Sequence, residues 1–149
     1  ESMTVARFDH MVNHESGLLG VSGISSDMRD LLSKESADAR AADAIALFCY
    51  QAKKWIGSFA AVLGGVETLV FAGGVGENAP AVRSTICKGL DFLGISLDQR
   101  NNARNAPVVS SNKSRVKVRV IPTDEELMLA RLAIGMPGRP HSQRIAGGN

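Results

Sequence analysis

Val66-Glu67-Thr68-Leu69-Val70-Phe71-Ala72-Gly73-Gly74-Val75-Gly76-Glu77-Asn78-Ala79-Pro80 decides how this chain is read. A short apolar run rich in β-branched and aromatic residues is the pattern of a buried strand, and two adjacent glycines end it. An acid, an amide and a proline follow the third glycine and suit the opening of a helix. Strand, glycine turn and helix start leave backbone N–H groups with no side chain in front of them, where a phosphate or nucleotide can approach closely.

Outward from that stretch the pattern is helical on both sides. From about Ser36 to Val62, Ala41, Ala44, Ile45, Phe48, Ala52, Trp55, Ile56 and Phe59 follow the i, i+3, i+4, i+7 rule. Gly64-Gly65 stops that helix, which at 1.5 Å per residue spans roughly 40 Å. After the glycine turn, Val82, Ile86, Leu90 and Leu93 define the inward face of a helix from about Pro80 to Leu93, with Gly94 as its stop. Residues 98–115 are polar and are expected to form a surface excursion. Val116-Lys117-Val118-Arg119-Val120-Ile121 alternates like a strand with one solvated face. A last helix is expected from Pro122-Thr123 to about Ile134, and the tail 135–149 is expected to be loose.

At the N-terminal side, Val5, Phe8 and Val12 share one face of a helix, and Asn13 to Gly17 reads as a turn. Leu18 to Gly23 reads as an apolar loop interrupted by glycines. Ser25-Ser26-Asp27 offers N-cap chemistry for a short helix through Leu32. Strands separated by helices pair in parallel, so the fold class is α/β with helices packed on a short parallel sheet. Two strands make a poor sheet alone, and the chain opens inside a helical pattern, which together read as part of a longer protein.

Composition narrows the function. The 149 residues are 44% hydrophobic and 21% charged with a formal net charge of +2, the profile of one ordinary globular domain. So small a charge without a basic run argues against nucleic acid and an anionic membrane as partners. No apolar stretch approaches the roughly 18 residues of a membrane span. Cys49 and Cys87 both fall on apolar helical stripes, as buried thiols of a cytoplasmic protein do. His10, His14 and His141 are scattered without carboxylates at ligand spacing.

Three segments carry chemistry. Gly73-Gly74-Val75-Gly76-Glu77-Asn78 is neither a GxGxxG fingerprint nor a Walker A loop. Its glycines fit a tight turn or a ligand cradle alike. Asp27 and Arg29 fit an N-capped helix, or a loop edge where Asp binds sugar hydroxyls and Arg stacks on a nucleotide. Thr123 with Glu126 forms a capping box. Asp124 complements the helix dipole, which leaves Glu125 as a spare carboxylate able to hold Mg²⁺.

At these segments the sequence resembles the C-terminal part of the acetate kinase (acetokinase) family. Ser16 to Arg29 is similar to that family's SGLLGxSGxSSDxR segment, Phe71 to Pro80 to its (T/A)GGxGEN(S/A)P motif, Cys87 to Ile95 to its CxGLxFLGI continuation, and Val118 to Leu127 to its closing VIPTNEEL. The resemblance covers residues 3–134 in order, and Asp124 stands where the family usually has Asn.

It implies part of an actin-like ATPase (ribonuclease H-like) architecture and reversible phosphoryl transfer between ATP and acetate, giving ADP and acetyl phosphate, in a cytoplasmic homodimer. Asp27, Met28 and Arg29 would line the adenosine site. Gly74, Val75, Gly76, Glu77 and Asn78 would form the second nucleotide contact, and Glu125 would hold Mg²⁺. The family's phosphate loop and its catalytic Asp and Arg groups are expected upstream of this chain, leaving it inactive alone. A propionate kinase of the same family and a non-catalytic nucleotide-binding or dimerisation module are the alternatives.

Overall fold

The two apolar runs lie side by side. In a computed structural model, which describes residues 3–124, 127–130 and 134, strand β1 (Thr68–Phe71) pairs in parallel with strand β2 (Lys117–Val120). Leu69 sits beside Val118 and Phe71 beside Val120. Lys117 and Arg119 face solvent while Val118 and Val120 are buried, as the alternation predicts. The sheet is two-stranded and parallel with helices packed against it, so the chain is α/β as expected.

β1 is not the fully buried strand its composition predicts. Only Phe71 is buried, and Val70 is 47% exposed. Thr68 and Val70 share the exposed face of β1, while Leu69 and Phe71 lie on the covered one.

Segment 98–115 departs from the expected surface excursion. Its start forms helix α7 (Gln99–Ala103), capped by Asp98, whose carboxylate accepts the N–H groups of Arg100 and Asn101. The chain then returns along the second edge of β2. The Val109 N–H donates to the Val118 carbonyl at 2.9 Å, the Val120 N–H donates to the Pro107 carbonyl at 3.1 Å, and Val109 is buried. A polar composition concealed one short apolar run, Pro107-Val108-Val109, which lies antiparallel along β2 and covers that sheet edge.

Helix α4 (Ala39–Leu63) is the backbone of the molecule. Asp38 caps its start, and Gly64 ends it in the left-handed conformation at φ 74°. Its first half is covered by α2 (Gly17–Ser22), α3 (Met28–Lys34) and α6 (Pro80–Cys87), which bury Ala41, Ala44, Ile45 and Cys49. The predicted stripe continues past that cover. Trp55 and Phe59 are more than half exposed and stack on each other with ring centroids 5.9 Å apart.

Three local expectations change. The stretch read as a loop, Leu18 to Gly23, is helix α2 (Gly17–Ser22), closed by Gly23 in the left-handed conformation. Gly20 fits inside it because a Cβ there would lie 2.8 Å from the Glu15 carbonyl oxygen. The first helix, α1 (Val5–His10), runs on into a π turn (Met11–Glu15) instead of a plain turn, and Val5, Phe8 and Val12 are exposed. The helix from Pro80 stops at Cys87, because Gly89 turns the chain at φ 79° into a 3₁₀ turn (Asp91–Leu93) that Gly94 ends. Both cysteines are free and buried.

No helix among the described residues is long and apolar enough to cross a membrane.

Candidate functional site

Ser22 and Ser25 shape the approach to α3. The buried Ser22 hydroxyl accepts the N–H groups of Ile24 and Ser25 and donates to the Ser25 carbonyl. The Ser25 hydroxyl accepts the Asp27 N–H and donates to the Asp30 carboxylate at 2.9 Å. This turn delivers Asp27 to the helix start, where its carboxylate accepts the Arg29 N–H at 2.8 Å. The Arg29 side chain folds back on the same carboxylate, with Nη2 to Oδ2 at 2.6 Å, yet remains 88% exposed. That guanidinium and the helix-start N–H hold the Asp27 carboxyl at about 2, below its ordinary 3.8.

The glycine segment folds as a short helix, α5 (Gly73–Asn78), instead of an open turn. Gly73 enters it at φ 71°, a conformation that favours glycine. At Gly76 the reason is packing: a Cβ would lie 3.1 Å from the Phe71 carbonyl carbon, so the helix rests directly on the end of β1. Gly74 has open space around it. The Asn78 amide donates back to the Gly74 carbonyl at 3.1 Å.

α3 and α5 come together around a cleft of about 420 Å³. Asp27, Met28, Arg29, Gly74, Val75 and Asn78 line it, with Leu32 and Ala79 adding apolar wall. Six of the sequence-predicted residues therefore meet in one place although a long helix and a strand separate their segments. Gly76 and Glu77 do not line this cleft. Apolar walls with a few convergent polar groups suit a flat, partly polar ligand.

Glu77 faces the other way. Its Oε1 accepts the Thr123 N–H at 2.9 Å and the Thr123 hydroxyl at 2.8 Å. Those two bonds, the backbone N–H first, lower the Glu77 carboxyl below its ordinary value of 4.5, and the Gly73 N–H adds a smaller share. With the Thr123 hydroxyl directed to Glu77, Asp124 does the capping: its carboxylate accepts the Leu127 N–H at 2.8 Å, and residues 127–130 are helical. Glu126, the other half of the expected capping box, lies outside the described residues. So does Glu125, the expected Mg²⁺ ligand, and so does the tail 135–149. Among the described residues no three His, Cys, Asp or Glu side chains gather as metal donors.

Arg83 is the residue that sequence reading missed. It lies on α6 with no exposed surface, and its guanidinium meets carbonyls and amides on three sides. The signal was its spacing, since Ala79, Val82, Arg83, Ile86 and Leu90 form one i, i+3, i+4, i+7 stripe. A charge on such a stripe must be buried and therefore hydrogen-bonded.

A profile of the Acetokinase family matches residues 1–131. The acetate kinase of Dictyoglomus turgidum is 45% identical over 148 residues, a match covering 97% of this chain and 36% of that protein. The propionate kinase of Citrobacter rodentium is 47% identical over 134 residues, covering 88% of this chain and 33% of that one. Among solved structures, acetate kinase of Porphyromonas gingivalis superposes with a TM-score of 0.80 at 40% identity, over 88% of this chain and 34% of its own. The chain thus spans about a third of the length of the relatives it matches. With its family profile, its relatives and its fold in agreement, the chain belongs to the acetokinase family.

Proposed function

We propose that this chain forms the adenosine side of the nucleotide site in a kinase that moves a phosphoryl group reversibly between ATP and acetate, giving ADP and acetyl phosphate. One observation carries the reading: Asp27, Met28 and Arg29 meet Gly74, Val75 and Asn78 around one cleft. Met28 and Val75 supply apolar surface for a base, Arg29 supplies a guanidinium face, and Asp27 supplies acceptors for ribose hydroxyls.

The chemistry belongs to the complete enzyme. Phosphoryl transfer is catalysed by positioning and charge stabilisation, and this chain's part is to hold the nucleotide. Mg²⁺ enters the proposal with Glu125 as its carboxylate, where it would neutralise charge on the phosphates. A cytoplasmic location belongs to the same proposal. The experiment is direct: the full-length protein, given ATP, Mg²⁺ and acetate, should form acetyl phosphate, trapped by hydroxylamine as the hydroxamate. Absence of product would overturn the reading.

Propionate is the second acid to test, since a propionate kinase is among the relatives at an identity similar to the acetate kinases. One methylene is worth only about 1–3 kcal/mol in an apolar pocket, so the ratio of the two kcat/KM values is the measurement.

A role in self-association is supported by the exposed Trp55–Phe59 stack on α4. Light scattering on the full-length protein should give twice the monomer mass, and on a Trp55→Lys, Phe59→Lys variant a smaller one.

A further inference from the structure

Arg83 is the largest fully buried side chain among the described residues. Its Nε donates to Asn102 Oδ1 at 2.8 Å, and Nη1 donates to the carbonyls of Gly76 at 2.8 Å and Glu77 at 3.0 Å. Nη2 donates to the Asn102 carbonyl at 2.7 Å and to Asn105 Oδ1 at 2.6 Å. Every one of these acceptors is neutral. Burial pushes the guanidinium below its ordinary value, and no carboxylate among the described residues stands against it to offset that. Asn102 is fixed in turn, its Nδ2 donating to the Pro80 carbonyl at 2.9 Å and to the Ser84 hydroxyl at 2.8 Å.

A buried charge without a counter-charge is an expensive way to fill volume. A methionine at 83 would occupy similar space without that cost. It would leave the last-turn carbonyls of α5 unsatisfied. Those carbonyls are the partly negative end of the helix that walls the cleft, and α5 has no side-chain cap at its other end. We propose that Arg83 is a positioning residue for nucleotide binding: by gripping Gly76 and Glu77 it fixes where α5 presents Gly74 and Val75 to the cleft and Glu77 to Thr123. Asn102 and Asn105 anchor the grip to α7 and the residues after it. Lysine cannot replace it, because a single ammonium cannot span acceptors on α5 and α7 together. This inference rests on the reading of the cleft as the nucleotide's.

Titration calorimetry with ADP and Mg²⁺ on the full-length enzyme tests it, using wild type, Arg83→Lys and Asn105→Gly. Asn105 has φ 53°, so glycine suits its backbone and removes only one of the two Nη2 acceptors, leaving the Asn102 carbonyl. Arg83→Lys is expected to raise the Kd for ADP roughly tenfold and Asn105→Gly roughly threefold. Both should keep a wild-type number of binding sites and an unchanged KM for acetate. Variants that bind ADP with the wild-type Kd while losing only Tm or binding-competent protein would reduce Arg83 to a fold residue and overturn the inference. If Arg83→Lys does not fold, Asn105→Gly decides by the same criterion. A wild-type enzyme that ignores ADP would overturn the nucleotide reading itself, before any variant is compared.

Discussion

Glu77 and Thr123 are joined through a single carboxylate oxygen, which accepts the Thr123 backbone N–H at 2.9 Å and its hydroxyl at 2.8 Å. The contact ties the end of α5 to the segment that runs on into Asp124, so the glycine helix and the chain leaving β2 are held in one relationship. Its charge makes it pH-sensitive. The Glu77 carboxyl is lowered in the folded protein, so its stabilisation is fully present above the ordinary 4.5 and is lost as pH falls through the lowered folded value. Glu77→Gln keeps an acceptor and removes the charge. Chemical denaturation should show wild type above Glu77→Gln at pH 7, with the gap closing as pH falls below the ordinary 4.5 and through the lowered folded value. A gap that persists at low pH would mean the charge contributes nothing here.

Gly74 and Gly76 should separate ligand effects from folding effects. Alanine at 76 meets Phe71 backbone and is expected to lower stability by about 1–2 kcal/mol. Alanine at 74 has room and favours the helix by roughly 0.5–1 kcal/mol, but places a methyl at the cleft wall. Thermal melts paired with ADP titration should therefore give a low Tm for Gly76→Ala. For Gly74→Ala they should give an unchanged or higher Tm with weaker binding. Normal ADP affinity in Gly74→Ala would argue against this wall of the cleft as a nucleotide contact.

Asp27 and Arg29 should act as a charged pair across the working pH range. The Asp27 carboxyl is held at about 2, so its share of stability is complete above 3.8 and is lost only as pH falls toward 2. ADP affinity should show no titration from this pair between about pH 5 and 8. Arg29→Ala keeps its backbone N–H on Asp27 and so keeps the cap, while ADP binding should weaken by roughly tenfold. Circular dichroism beside the titration would reveal any loss of fold instead.

Both thiols should be inert in the native protein. Cys49 and Cys87 are buried, and burial pushes the Cys87 thiol up to about 12, so little thiolate exists at neutral pH. Ellman's reagent should find neither Cys49 nor Cys87 reactive until denaturant is added, and both afterwards. Rapid native reaction would show that α4 and α6 open readily.

Much of the fold was legible because periodicity is local. The stripe on α4, the alternation of β2 and the glycine stop at Gly64 each follow from residues within a few turns of one another. The misreadings have local causes too. Glycines in 17–23 signalled a loop where Gly20 is there to let the chain pass Glu15, and asparagines in 98–105 signalled solvent where Asn102 is buried against Arg83.

By itself the sequence determined the long helix, the two strands and their parallel pairing, the motifs that mark the acetokinase family and the residues to watch around the cleft. Only the tertiary structure decided what each of them touches. It turned Glu77 away to Thr123 and Gly76 onto Phe71, and it brought Asp27, Met28 and Arg29 to Gly74 and Val75. Hydrophobic patterning records which face of an element is buried. The partner of a hydrogen bond such as Arg83 to Gly76, or Glu77 to Thr123 across 46 residues, depends on how elements pack, and that information is not local to any stretch of chain.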